Sequence, residues 1–157
     1  LDLSYNYLLD VQLWIKMARI AEPFYVSGKV WAAARIHENA KNSAQAKGFG
    51  PEAFRLAKWL CEDEAYYPLN AQNLNKIWAG AHRLNGFYQV EARNYREAIR
   101  SYARMLRFQP KQSSRIYRRM LFALLGWLGL EKMREPYERM RAHSYPWRCG
   151  KRGNGHD

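Results

Sequence analysis

Apolar residues recur every three or four positions along most of the chain, which is the spacing that one face of an α-helix requires. In residues 5–20 two such rows run together and leave only a narrow polar sector. A helix of this kind is mostly buried, so its acid, Asp10, should be paired, protonated or directed into a cleft. Glu22-Pro23 should end the helix, because the residue before a proline is kept out of the helical region.

A different pattern follows in residues 24–36. Phe24-Tyr25-Val26, the turn Ser27-Gly28, and the stretch from Val30 to Ile36 predict a short strand, a turn and a second segment that is extended or partly helical. Residues 38–50 are polar, small and interrupted by glycine, so we place a loop and a domain boundary there. The predicted fold class is mainly α, a helical bundle with a short β element near the N-terminus.

The remainder predicts helices only. The first opens at Pro51 and runs to about Tyr66, with Phe54, Ala57, Leu60 and Cys61 as its buried face. The other predicted helices span 71–87, 113–129 and 131–143, and nothing beyond Ser144 is expected to fold.

The stretch from Gly86 to Pro110 has a sharper pattern. Small and aromatic residues alternate in Asn94-Tyr95-x-x-Ala98-Ile99-x-x-Tyr102, an arrangement that lets two antiparallel helices pack closely. The stretch resembles one tetratricopeptide repeat, although His82 stands at the usual tryptophan and Met105 at a usual alanine. One repeat is too few for a solenoid, so a compact helical hairpin is expected.

The formal net charge of +12 is concentrated in the second half of the chain. Residues 1–90 hold ten Lys/Arg against eight Asp/Glu, whereas residues 91–157 hold 16 against six. A polyanion is therefore the expected partner of the second half: an anionic membrane surface, a nucleic acid or an acidic protein. Cys61 and Cys149 lack any paired spacing, which disfavours a zinc site and favours reduced thiols.

Three interpretations of the basic half stay open. Arg115, Arg118 and Arg119 flank an apolar run that includes Trp127, a combination suited to the surface of an anionic bilayer. Cations with aromatics also suit nucleic acids, but here the two kinds of residue are not interleaved on one platform. The third interpretation is a solvated face beside core aromatics. The apolar run, Leu121–Leu130, is about half of a membrane span.

The N-terminal stretch carries a family resemblance. The segment Leu1-Asp2-x-Ser4-Tyr5-x-Tyr7-x-x-Asp10-Val11-Gln12-Leu13-Trp14-Ile15-Lys16-Met17-Ala18, then Pro23-Phe24-Tyr25-Val26 and Ala34-Arg35-Ile36-His37-x-x-x-Lys41, resembles the end of the catalytic domain of bacterial family 2 glycosyltransferases. The helical remainder is similar to extensions found on these enzymes. The resemblance implies the C-terminal portion of an inverting glycosyltransferase, with a nucleotide-sugar donor and an acceptor glycan or lipid.

The resemblance also implies roles for four residues. Asp10 matches the base that deprotonates the acceptor hydroxyl. Trp14 matches the neighbouring aromatic residue, which either shapes the acceptor site or packs. His37 matches the histidine near the metal or diphosphate, and Arg35 either supports it or caps the strand.

The resemblance has departures and gaps. The acid usually two positions after the base is Gln12 here, and Glu38-Asn39-Ala40 replaces the usual Pro-Gly-Ser. A divalent metal, Mg or Mn, is implied, but its main ligands and the nucleotide-binding half are not in these residues, so we expect the chain to begin inside a longer protein.

The expected organisation is residues 1–48 as the end of the catalytic domain, 49–143 as a helical extension and 144–157 as a basic tail. The expected location is cytoplasmic, peripheral to the inner face of the membrane. The alternative function is a non-catalytic helical module that docks on a partner protein or an anionic membrane.

Overall fold

The computed structural model describes residues 2–20, 44–111, 114–130 and 132. Within these residues the fold is built from five long helices and contains no strand. They are α1 (Leu9–Ile20), α2 (Phe49–Glu62), α3 (Leu74–Glu91), α4 (Tyr95–Phe108) and α5 (Ser114–Trp127). Short helical turns at Ala46–Gly48, Tyr67–Asn70 and Ala71–Asn73 connect them. The mainly α prediction is confirmed.

The start of α1 is capped by a side chain from α2. The buried carboxylate of Glu52 accepts hydrogen bonds from the backbone N–H groups of Asn6 at 2.7 Å, Tyr7 at 2.8 Å and Leu8 at 2.9 Å. These three residues lead directly into α1, and the helix dipole favours a negative charge at that end. Glu52 therefore both satisfies these donors and fastens the N-terminal segment to α2.

Two hydrophobic clusters form the core. The first joins the N-terminal segment to α2 and α3, and its buried members are Tyr5, Leu8, Phe49, Ala53, Leu56, Ala57 and Ala81. The second joins α3, α4 and α5 through Ala79, Val90, Tyr95, Ala98, Tyr102, Met105 and Ala123. The first cluster contains residues from both sides of the boundary that the sequence predicts near residue 48.

The predicted hairpin is present as α3 and α4. A Cβ atom on Gly86 would lie 2.8 Å from the Tyr102 ring, and one on Gly126 would lie 2.5 Å from the ring of Tyr95. Glycine at these two positions makes room for the tyrosine rings, so α4 packs closely against α3 on one side and α5 on another.

Buried polar side chains meet where α2, α3 and α4 converge. Asn85 donates through Nδ2 to Ser101 Oγ and accepts through Oδ1 from Gln89 Nε2 at 3.2 Å. The same Oδ1 would lie 2.0 Å from a Cβ on Gly50, the second residue of α2. Gln89 in turn accepts from Asn94 Nδ2 at 3.0 Å. The buried amides are thus paired with one another, as buried polar groups require.

Some predictions about α1 and α2 are wrong. α1 is not mostly buried, since Leu13, Trp14, Met17 and Ile20 are exposed on it. α2 begins two residues before Pro51 and ends at Glu62. Of its predicted buried face only Ala57 is fully buried, because α2 packs against the N-terminal segment as well as α3 and therefore buries the sector around Phe49, Ala53 and Leu56.

The later helices follow the predictions more closely. α3 continues to Glu91, beyond its predicted end near Gly86, because Gly86 accommodates a ring and does not end the helix. α5, Ser114–Trp127, agrees with the prediction for 113–129. The predicted β element in 24–36, the helix over 131–143 and the basic tail fall outside the described residues, Lys132 excepted.

Candidate functional site

Asp10 lies in the first turn of α1, on the exposed side of the helix. The expectation that it is buried is therefore wrong. Its Oδ1 accepts a hydrogen bond from the backbone N–H of Val11 at 2.8 Å, an exposed local contact. Trp14, one helical turn further on, is 59% exposed. The two side chains share one exposed face of α1, since residues four apart on a helix are neighbours.

The border of this face is apolar. Leu13 is 39% exposed and Met17 is 42% exposed, and both lie within about a quarter turn of Asp10 by helical register. A carboxylate surrounded by exposed apolar side chains is unlike an ordinary solvated helix face, where charged and polar residues predominate. Large exposed apolar patches commonly mark a surface to which another structural unit binds.

Tyr88 of α3 is the titratable neighbour of Asp10. Burial raises the pKa of the Tyr88 phenol, and the negative charges of Asp10 and Glu91 raise that pKa further. The Tyr88 ring stacks on Phe49 with a centroid distance of 3.9 Å. Tyr88 is thus a partly buried neighbour of the carboxylate that the sequence pattern did not single out.

Gln12, where the resembled family has an acid, is buried on the opposite side of α1. Only 3% of its surface is exposed, and its Oε1 accepts a hydrogen bond from the Asp2 backbone N–H at 3.0 Å. The carboxyl of Asp2 is itself engaged by Ser4, so the pKa of Asp2 is lowered to about 2. Gln12 therefore has a structural role in closing the N-terminal segment onto α1.

The second predicted half of the site lies outside the residues that the structure describes. His37 and Arg35 fall in residues 21–43, outside the described residues. In the parts of the chain that are described, no three His, Cys, Asp or Glu side chains are grouped so that they can hold a metal ion. The described donors thus do not fit the implied Mg or Mn, and we assign no step to a metal.

The predicted anion surface on α5 is divided. Arg118 is exposed, whereas the guanidinium of Arg119 lies over the Phe87 ring of α3, 4.0 Å from its centroid. Trp127 is 60% exposed but lies half a turn around the helix from Arg118 by register. The side chain of Arg115 is outside the described part. The described members of this set therefore do not share one face.

Sequence reasoning missed a stronger cationic surface on α4. Its four exposed arginines all lie within a sector of about 80° by helical register, and we name them the arginine stripe: Arg96, Arg100, Arg104 and Arg107. The acid of α4, Glu97, lies beside the stripe and pairs with Arg100 at 3.5 Å. The 3–4 residue spacing of these arginines was the signal available in the sequence.

A separate shallow cavity of about 220 Å³ lies on α3, lined by Lys76, Ala79, Gly80, Arg83 and Gln109. Its lining includes no residue of α1. Two of its five lining residues are cations, and it is distinct from the face around Asp10.

None of the described helices combines the length and apolar character needed to cross a membrane. Comparison with known protein families, with curated proteins and with solved structures finds no match to this chain.

Proposed function

We propose that this chain is the C-terminal, acceptor-side portion of an inverting glycosyltransferase that moves a sugar from a nucleotide-sugar donor to an acceptor hydroxyl. Asp10 is the general base. Its carboxylate takes the proton of the acceptor hydroxyl while that oxygen attacks the anomeric carbon and the nucleoside diphosphate leaves. Trp14 forms the wall of the acceptor site.

The observation that supports this proposal is the exposed face of α1, on which Asp10 and Trp14 lie side by side with an apolar border. An acceptor must reach the base directly, so a base on an accessible face meets the geometric requirement. The apolar border of Leu13 and Met17 gives the nucleotide-binding half a surface against which to pack. The spacing of the motif in residues 1–18 supplies the family expectation.

The test uses the intact protein and its Asp10→Asn variant. Release of nucleoside diphosphate from a panel of nucleotide sugars is measured with a glycan and lipid extract as the acceptor. We expect turnover to fall by about a hundredfold or more, the usual loss when a general base is removed. Glu64→Gln, which removes the same charge from an exposed turn, is the matched control and should retain full turnover.

Undiminished turnover in the Asp10→Asn variant refutes the assignment of the base. Equal far-UV circular dichroism of the two variants ensures that a loss of turnover reflects chemistry and not unfolding.

The alternative is a non-catalytic helical interaction module. The exposed apolar and cationic faces of α4 and α5 favour it, since they have no part in the proposed transfer. Absence of nucleotide-sugar turnover by the intact protein, with normal folding, supports this alternative.

A further inference from the structure

The helix α5 exposes a row of apolar side chains. Three residues of α5 and one residue just past its end lie within a sector of about 60° by helical register, and we name them the apolar stripe: Tyr117, Leu121, Leu124 and Leu128. Their exposed fractions are 46%, 53%, 42% and 64%. Single exposed apolar residues are ordinary, but a continuous row on one helix face indicates a surface for binding.

The arginine stripe of α4 and the apolar stripe of α5 face the same side of the molecule. Tyr95 at the start of α4 touches Gly126 near the end of α5, so the two helices are antiparallel neighbours. On α4, Ile99 and Leu106 share a row with Tyr95, the residue that touches α5, and both pack into the second cluster. The arginine stripe is centred about a third of a turn beyond that row by register.

On α5 the residues that pack into the cluster shared with α3 and α4 are Ile116, Met120 and Ala123, and we take this row as the contact side of the helix. The apolar stripe lies a little more than a quarter turn around α5 from this row. The direction of rotation, viewed from the N-terminus of each helix, is the same as that from the Ile99 and Leu106 row to the arginine stripe on α4. In two antiparallel helices, equal rotation in the same sense away from the contact leads to the same side of the pair. The stripes therefore run side by side, with cations on one helix and apolar groups on the other.

We propose that this two-helix surface binds the surface of an anionic lipid bilayer. A bilayer surface offers both phosphate charges for the arginines and an acyl boundary for the leucines, which is the combination that interfacial amphipathic helices use. The arginine stripe from Arg96 to Arg107 is about 16 Å long, so it spans several lipid headgroups. A nucleic acid would engage the arginines alone and leave the leucines exposed. This proposal does not depend on the glycosyltransferase proposal.

The charges should set the strength of binding. Each arginine near an anionic surface increases partitioning by about fivefold, so neutralising three of them should weaken binding by about a hundredfold. The leucines should add a contribution that salt does not screen, since burial of apolar area is independent of ionic strength.

The experiment is sedimentation of the chain with vesicles of phosphatidylcholine alone or with 30% phosphatidylglycerol, a composition of about one anionic lipid in three chosen to mimic a charged leaflet. We expect sedimentation only with the anionic vesicles. The triple variant Arg96→Gln/Arg104→Gln/Arg107→Gln should bind about a hundredfold more weakly.

The matched control carries the same loss of charge outside α4 and α5. The variant Arg19→Gln/Lys47→Gln/Lys58→Gln replaces three exposed cations that lie neither in the two stripes nor in the cavity on α3. It should lose much less affinity than the arginine variant. An equal loss in the two variants overturns the proposal, because it would show an effect of net charge and not of this surface.

The apolar stripe is tested by Leu121→Ser/Leu124→Ser, whose positions are already exposed and are therefore compatible with folding. We expect vesicle binding to fall by about tenfold. Unchanged vesicle binding by this variant overturns the proposal, as does a failure of the unmodified chain to sediment with anionic vesicles. Tighter binding to polyuridylate than to the vesicles overturns it in favour of a nucleic acid.

Discussion

Removal of the Glu52 carboxylate should loosen the N-terminal segment from the helices. The carboxylate accepts three backbone hydrogen bonds of 2.7–2.9 Å at the start of α1. Hydrogen bonds to a charged group contribute about 1.5–3 kcal/mol each. The N–H of Asn6 is on an exposed residue and can bond to water instead, so the two inner bonds, to Tyr7 and Leu8, carry most of the effect.

The two inner hydrogen bonds together stabilise the fold by about 3–6 kcal/mol. Removing the carboxylate also removes the cost of burying its charge, which offsets part of that loss. For Glu52→Ala we therefore expect the free energy of unfolding to fall by about 3 kcal/mol, equivalent to a decrease of about 6–12 °C in Tm for a chain of this size. Glu52→Gln keeps one acceptor oxygen and should cost about half as much.

The assay is urea unfolding followed by far-UV circular dichroism, with amide hydrogen exchange at Leu8 as the local measurement. Protection of the Leu8 amide should decrease in both variants, because its N–H loses a charged acceptor. Glu64→Ala, on an exposed turn, is the control and should stay within about 0.5 kcal/mol of the unmodified chain. A Glu52→Ala variant that is as stable as this control would refute the capping role.

Two further predictions concern α3. Gly86→Ala should destabilise the chain by about 1–3 kcal/mol in urea unfolding, because the new methyl group meets the Tyr102 ring. Gly80→Ala is the control: its new methyl group would have no atom within 4 Å, so the change should be neutral or stabilising. Burial lowers the pKa of His82, with Arg104 contributing. As the pH falls below about 6.5 the unfolded chain takes up this proton first, so stability should decrease on acidification and less so in His82→Phe, measured by urea midpoints at two pH values.

The helices could be predicted from the sequence where the apolar face indicated by the periodicity is also the face that packs against a neighbouring helix. The hairpin of α3 and α4 follows from glycine and tyrosine spacing alone, because Gly86 and Tyr102 meet across two helices that adjoin in the chain. A local pattern suffices when the contacts it describes are also local.

The orientation of α1 could not be predicted in this way. Its apolar rows indicated burial of all but a narrow polar sector, but the side that packs is decided by Tyr5, Leu8 and Gln12 against a helix more than 40 residues away. Glu52 illustrates the same limit: an acid in the first turn of a helix ordinarily stabilises that helix's own N-terminus, whereas the carboxylate oxygens of Glu52 accept hydrogen bonds at the start of α1. Contacts between residues so far apart in the chain produce no periodic pattern in the sequence.

The candidate site was predicted only in part. Asp10 and Trp14 share a face, as a spacing of four residues on a helix requires. The exposure of Asp10 could not be predicted from its apolar neighbours, because a run of apolar residues does not indicate which of them other parts of the chain bury.

The three-helix junction at Asn85 decides which of several packings is allowed. A hairpin held by apolar contacts alone can slide by one helical turn, about 5.4 Å, and still bury similar area. In such a slipped arrangement Asn85 would keep its Oδ1 contact with Gln89 of the same helix, but its Nδ2 group would lose Ser101, at a cost of about 1–3 kcal/mol. The junction thus fixes the register of α4 on α3. Sequences that replace Asn85 by leucine should gain apolar contacts but should no longer favour one alignment of the two helices.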